Sequence, residues 1–189
     1  MENVLIYLVG FAGTGKLTIA RALAEATSAK VVDNQWINNP IFGLLDHDRL
    51  TPYPDGVWRQ IDKVREAVLE TVATLGAPHA SYVFTHEGFE DDAGDRQIYD
   101  AIRDTAQRRK ARFLPVRLLC NEDEIAKRVV SPERALRLKS MDPERSRNAV
   151  RNSTVLKPNH ENELTLDISD KQPADVVELI LEQVAHCKT

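Results

Sequence analysis

No stretch of this chain is apolar for long enough to span a bilayer as a helix, so the sequence gives no reason to expect a membrane protein. Cysteine is scarce. Cys120 falls at the end of a predicted strand and Cys187 in the tail, which argues against a disulfide framework or a thiolate metal site. A basic surplus is also missing. The 25 lysines and arginines stand against 29 acids, a net charge of −4, so broad nucleic-acid binding is not expected. There is no internal repeat, no low-complexity segment and no basic leader before the first apolar run. Together these absences predict a cytoplasmic protein. What is present is 189 residues, 42% of them hydrophobic, enough for one domain with a real core.

The most informative residues are Gly10-Phe11-Ala12-Gly13-Thr14-Gly15-Lys16-Leu17-Thr18. A β-prone run, Val4 to Val9, precedes them, and a helical pattern of Leu17, Ile19, Ala20, Leu23 and Ala24 follows. That strand–loop–helix context is what a phosphate-binding P-loop requires. Glycines let the backbone curl around a polyphosphate with its N–H groups pointing inward, and the helix start adds a positive dipole end. Lys16 supplies a point charge for the terminal phosphates. The nucleotide-binding residues expected here are Gly10, Ala12, Gly13, Thr14, Gly15, Lys16, Leu17 and Thr18. One position departs from the usual pattern: Leu17 stands where Ser or Thr normally offers Mg²⁺ a hydroxyl, and Thr18 follows one place later. Thr18 is the candidate for a hydroxyl on the Mg²⁺ or phosphate.

Strand and helix alternate along the chain. Strands are expected at about 3–9, 29–33, 81–85, 112–119 and 164–168, with Val31 and Val32 buried. Helices are expected at 15–27, 92–110, 132–140, 143–152 and 174–187, with another after Asn121, where Glu124 would complete a capping box. Val57, Ile61, Val64, Val68, Val72 and Leu75 mark an amphipathic helix that Asp55 would cap. Residues 34–54 carry Pro40, Gly43, Pro52 and Pro54 and are expected to be mostly loop, with one helical turn at most. This order predicts an α/β fold: a five-stranded parallel sheet in a three-layer α/β/α arrangement with a small helical lid. Ligands on such sheets bind outside the carboxyl ends of the strands. Three candidates lie there: the P-loop, Asp33 and Glu87.

With these motifs the whole chain, roughly 3–185, resembles the P-loop small-molecule and nucleotide kinases. It is similar in layout to shikimate kinase, gluconate kinase and chloramphenicol phosphotransferase, and the lysine–Leu–Thr offset is similar to that of adenylate kinase. The resemblance implies ATP and Mg²⁺ as cofactors. It implies that Asp33, in Val31-Val32-Asp33-Asn34, contacts the acceptor hydroxyl. It implies an adenine-stacking Arg at Arg128 and a lid over 131–157 that brings Arg134 or Arg137 onto the transferred phosphate. Two features differ from shikimate kinase: Gln35 stands where a second acid would, and Gly88 alone follows the third strand. No single member is therefore assigned.

The residues themselves add candidates. Acceptor binding is expected from 34–60 and 86–96, with Trp36, Asn38, Asn39, Phe42, Tyr53, Trp58, Arg59, Glu87, Gly88 and Phe89 in reach. Arg59 suits an anionic acceptor, and its alternative is plain exposure beside a core Trp58. Glu87 is either an acid on the Mg²⁺ side or a loop charge. His86 is a substrate contact or a hydrogen-bonded histidine. Asp46-His47-Asp48 is expected to be solvated, since neighbours in a loop seldom converge on one ion. The function expected is transfer of the γ-phosphate of Mg-ATP to a hydroxyl of a metabolite, nucleoside or antibiotic, by a monomer or homodimer without membrane or nucleic-acid partners. A nucleotide-dependent switch and a kinase of nucleic-acid ends are the alternatives left open.

Overall fold

The computed structural model describes residues 1–47 and 51–188. The chain runs β1 (Val4–Val9), α1 (Lys16–Thr27), β2 (Lys30–Asp33), α2 (Asn34–Phe42), α3 (Val57–Thr74), β3 (Tyr82–His86) and α4 (Ala93–Arg108). It continues through β4 (Arg112–Leu119), α5 (Glu122–Val129), α6 (Pro132–Leu136), α7 (Pro143–Asn152), β5 (Leu164–Asp167) and α8 (Pro173–His186). All five strands are parallel, in the order β2-β3-β1-β4-β5. The first crossover steps over β3 towards β2, and the crossover after β3 runs the other way to β4. Right-handed connections of opposite direction lie on opposite faces. Accordingly α1 packs with α8, and α3 packs with α4.

The core follows from this layering. Every residue of β1 is fully buried, as a central strand covered on both faces must be. At the edge, β2 differs from expectation. Val31 and Val32 are only half-buried, and the buried residue is Asp33. An edge strand has a neighbour on one side only, so its apolar side chains are less enclosed.

The segment after β2 also differs. It is not mostly loop, because α2 runs nine residues with Pro40 inside it. Ile37 and Phe42 bury against Val57 and Ile61 of α3, and this packing outweighs the weak helix propensity of asparagine and proline. Three helix-end details are corrected as well. Gly56, at φ 85°, starts α3 in place of Asp55. Asn121 caps α5 through the Glu124 N–H, but Glu124 turns to Arg128, so the capping box is half formed. α6 stops at Leu136, short of 140.

The α3 stripe ends sooner than its pattern suggests. Leu75 is exposed, whereas Arg65 is buried on the core side. Cys120 is buried and Cys187 half-buried, both as free thiols. Among the described residues, no helix is long and apolar enough to cross a membrane.

Candidate functional site

The loop after β1 is held at both ends. Gly10 N–H donates to the His86 carbonyl at 3.3 Å, tying the loop to the end of β3. The Thr14 hydroxyl and amide both donate to the Phe11 carbonyl, at 2.9 and 3.3 Å. Gly13 and Gly15 lie at φ 88° and 86°, where a side chain is strained. A Cβ on Gly13 would also stand 2.6 Å from Val129 Cγ1, so this turn admits only glycine. α1 begins at Lys16, and the first-turn N–H groups of a helix have no partner inside it.

Lys16 closes the loop with its own side chain. Its Nζ donates to the carbonyls of Gly10 and Phe11 at 2.7 and 2.8 Å and to Thr14 Oγ1 at 3.3 Å. Burial lowers its pKa to about 7, against the opposing charge of Glu87. The Glu87 carboxylate in turn accepts the Ala12 N–H at 3.0 Å. The loop thus already holds one anion, a carboxylate of its own chain, on a backbone amide. The two left-handed glycines, the helix start and the lysine fit a polyphosphate. Oxygen ligands suited to Mg²⁺ are sparser. Leu17 has no hydroxyl, Thr18 is exposed at the cavity wall, and Glu87 is the carboxylate nearest the loop. The described residues hold no cluster of three or more His, Cys, Asp or Glu able to bind a metal.

Asp33 ends β2 in the same cavity, which has a volume of about 880 Å³. Its Oδ1 accepts the Thr85 hydroxyl at 2.7 Å, and the same Thr85 oxygen accepts the Asn34 N–H at 3.2 Å. Its Oδ2 pairs with Arg137 at 2.8 Å and faces Lys139 at 3.8 Å. These cations come from the segment after α6. Arg134 folds onto that segment, donating through Nε and Nη2 to the Ser140 carbonyl at 3.1 and 2.8 Å. Burial lowers its pKa, and the negative charge of Glu87 opposes that shift.

Beneath β3 lies a network that the sequence pattern did not disclose. The Tyr7 hydroxyl is 2.7 Å from His86 Nδ1, and His86 Nε2 is 3.2 Å from Asp95 Oδ1. Asp95 Oδ2 accepts the Phe89 N–H at 2.8 Å. The three side chains fix the turn that carries Glu87 and Gly88. Burial raises the Tyr7 pKa well above its ordinary value, so its phenol stays protonated. Arg65 lies close by, with Nη1 on Asp62 at 2.6 Å and Nη2 on Asn34 at 3.4 Å. No signal in the sequence separated Tyr7 and Arg65 from the apolar positions around them.

The structure brings most of the expected residues together. Ala12, Gly13, Gly15, Lys16, Leu17 and Thr18 line the cavity, and so do Asp33, Glu87, Arg128, Arg134 and Arg137. Arg128 bonds Glu124 at 2.9 Å and reaches the Ile168 and Ser169 carbonyls at 3.4 Å. It also lines a second cavity of about 300 Å³, between the starts of α1 and α8, with Thr14 and Thr18. Gly10 and Gly88 sit behind the walls. A Cβ on Gly88 would meet Val9 Cγ2 at 2.9 Å.

Trp36 and Arg59 are corrections to the expected acceptor site. Both are exposed and lie outside the cavity lining. They fall on the solvent sides of α2 and α3, whose inner faces Ile37 and Ile61 occupy. Trp58 lines the cavity and is not in the core. His86 is hydrogen-bonded and buried within β3. Asp48 of the Asp46-His47-Asp48 run lies outside the described residues. Lys139, Arg21 and Arg145 also line the cavity and carried no expected role, although Lys139 and Arg145 lie within the expected lid of 131–157.

No family model matches the chain, and no curated protein does. Solved structures match along nearly its whole length. A gluconokinase from Sinorhizobium meliloti superposes with a TM-score of 0.65 at 18% identity, covering 97% of this chain and 93% of its own. A shikimate kinase from Acinetobacter baumannii, in complex with shikimate, gives 0.59 at 19%, covering 97% and 93%. A protein from Chloroflexus aurantiacus described as a kinase candidate gives 0.68 at 18%, covering both chains fully. The fold is that of the P-loop kinases. At such identities the likeness is one of architecture, and the site must be argued from its own residues. In this P-loop kinase fold, the glycine loop after β1 and the carboxylate after β2 open on one cavity.

Proposed function

We propose that the protein is a kinase that transfers the γ-phosphate of Mg-ATP to a hydroxyl of a small molecule: a metabolite, nucleoside or antibiotic. One observation carries this. A buried carboxylate, Asp33, faces the same cavity as the P-loop lysine and is held by lid-side cations. A nucleotide-binding module needs the loop, but it has no use for a buried acid at the acceptor position.

Phosphoryl transfer depends on positioning and charge neutralisation more than on covalent help. Lys16 and the loop amides would hold the β- and γ-phosphates, displacing Glu87 from Ala12 and Nζ from the loop carbonyls. Arg128 and the second cavity would take the base. Thr18 and the freed Glu87 would be the protein groups that hold Mg²⁺, which would supply positive charge to offset that of the phosphates. Asp33, kept in place by Thr85, would accept a hydrogen bond from the attacking hydroxyl and then its proton. Acceptor entry would separate Arg137 from Asp33 and direct it to the transferred group. Arg134 would close over the same group, excluding water as residues 131–157 fold down. Within this single kinase domain, 34–60 would bind the acceptor. The protein would act in the cytoplasm as a monomer or homodimer.

The test is a mass-spectrometric screen with Mg-ATP and pooled metabolites, nucleosides and antibiotics, beside a Lys16→Ala control. The expected result is the mass gain of one phosphoryl group, absent from the control. Asp33→Asn is expected to abolish that gain while leaving ATP affinity within a few-fold, as calorimetry would read. Turnover at the wild-type rate in Asp33→Asn would remove Asp33 from the chemistry.

A further inference from the structure

The wall formed by 33–58 is chemically distinct from the rest of the cavity. Among the described residues, Asp33 is its only charge. The remaining lining groups on that wall are amides, a hydroxyl, a proline and three aromatic rings. The cations lining the cavity come from α1, α5 and the 134–145 segment. Among the described residues, an acceptor lying along 33–58 therefore meets no fixed positive charge beyond the pair already bound to Asp33.

Asn38 is the informative residue on this wall. It is 7% exposed and lines the cavity, yet its Oδ1 has no hydrogen-bond partner among the described residues. An unpaired buried amide oxygen costs about 1–3 kcal/mol, and such groups in native proteins call for an explanation. A terminal amide turns readily about its last bond, so either end can face a ligand. Asn38 stands five residues beyond Asp33, about 7.5 Å along a helix of ordinary rise.

Phe42 follows one turn later. Its ring stacks on Tyr53 at 4.5 Å and 3°, and Trp58 meets both rings edge-on at 5.8 and 5.7 Å. Trp58 remains 55% exposed although it forms part of the cavity wall. A carboxylate, an amide and an aromatic face thus follow one another over the length of one ring-sized molecule.

We propose that Asn38 sets acceptor specificity, and that the acceptor is an uncharged ring compound. In this arrangement, which rests on the kinase proposal above, one hydroxyl lies at Asp33 and a second hydroxyl or N–H donates to the Asn38 oxygen. The ring lies against Trp58. Nucleosides and glycosides share this chemistry. Open-chain acids do not, since the described residues of this wall offer no cation of their own to a carboxylate and such acids bring no ring for the tryptophan.

The chain has two tryptophans, so Trp36→Phe leaves Trp58 as the only one. Its fluorescence would be titrated with uridine, methyl glucoside, gluconate and shikimate, with a non-hydrolysable ATP analogue saturating the donor site. A saturable change with uridine or methyl glucoside, and none with the two acids, is the expected result. Which of the two responds tells a nucleobase ring from a sugar ring. Asn38→Ala should weaken that binding by roughly tenfold or more, with the affinity for the ATP analogue unchanged. Should Asn38→Ala not fold, Trp58→Ala at its exposed position serves, with the same loss read by calorimetry. Response only to an acid, response to nothing, or wild-type binding in these variants overturns the proposal. Binding of a ring compound without phosphoryl transfer would refute the kinase reading and leave this one standing. Transfer to an open-chain acid, with Trp58 silent, would do the reverse.

Discussion

At the residue scale, Lys16 governs how the free protein responds to pH. Its pKa falls from the ordinary 10.5 to about 7 because the ammonium is buried. A polyphosphate binds the charged form, so affinity for ATP should decline as the pH rises above about 7. Calorimetry at pH 6 to 9 should show this, with proton uptake on binding at the alkaline end. The stability sign is opposite. Between about 7 and 10.5 the unfolded chain holds a proton on this group that the folded chain lacks, so stability gains with rising pH in that window. Lys16→Met should therefore raise the melting temperature of the free protein while abolishing ATP binding. Gly13→Ala acts through backbone and contact together, at φ 88° and 2.6 Å from Val129. It should cost about 1–3 kcal/mol in urea unfolding, with loss of nucleotide affinity.

At the element scale, β1, its loop and α1 were legible in the sequence because an apolar run, fixed glycine spacing and a helical period all agree. α2 was not. Asn34-Gln35-Trp36-Ile37-Asn38-Asn39-Pro40 reads as a breaker by local propensity, and its helix exists through Ile37 and Phe42 packing on α3. Tertiary contact of that kind leaves no periodic trace in a segment this short. Pro40 is exposed and withholds an N–H from the helix that contains it. Pro40→Ala should thus stabilise the fold by about 1 kcal/mol or more after the entropy of the looser unfolded chain is subtracted, read as a higher urea midpoint. Within the site, Asp33 was legible because a strand end faces the crevice. Its partners come from two places in the chain, Thr85 from β3 and Arg137 and Lys139 from the segment after α6, and only the fold brings them together. Trp36 and Arg59 were misplaced for the complementary reason: proximity in sequence to a site does not fix which face of a helix a side chain takes.

At the scale of the whole molecule, the glycine loop follows one strand and Asp33 ends another strand of a single parallel sheet, so a ligand at the loop should be felt globally. Mg-ATP at about a hundred times its dissociation constant should stabilise the fold by about 2.7 kcal/mol through mass action. The melting curve should shift upward accordingly, and the shift should vanish in Lys16→Ala. A wild-type melting curve unmoved by ATP would mean that the loop does not bind it.

The position of β3 has a consequence of its own. It lies between the strand that ends in Asp33 and the strand that ends in the P-loop, and it touches both: Thr85 holds the carboxylate, while His86 and Glu87 hold the loop. Two inter-strand steps of about 4.8 Å then separate the lips of the cavity by roughly 10 Å. β3 is a ruler set by backbone hydrogen bonds, and no single side chain can lengthen or shorten it. On the kinase reading proposed above, divergence would leave the gauge alone and rewrite α2 and the start of α3, exchanging one acceptor for another while the distance the phosphoryl group must travel stays the same.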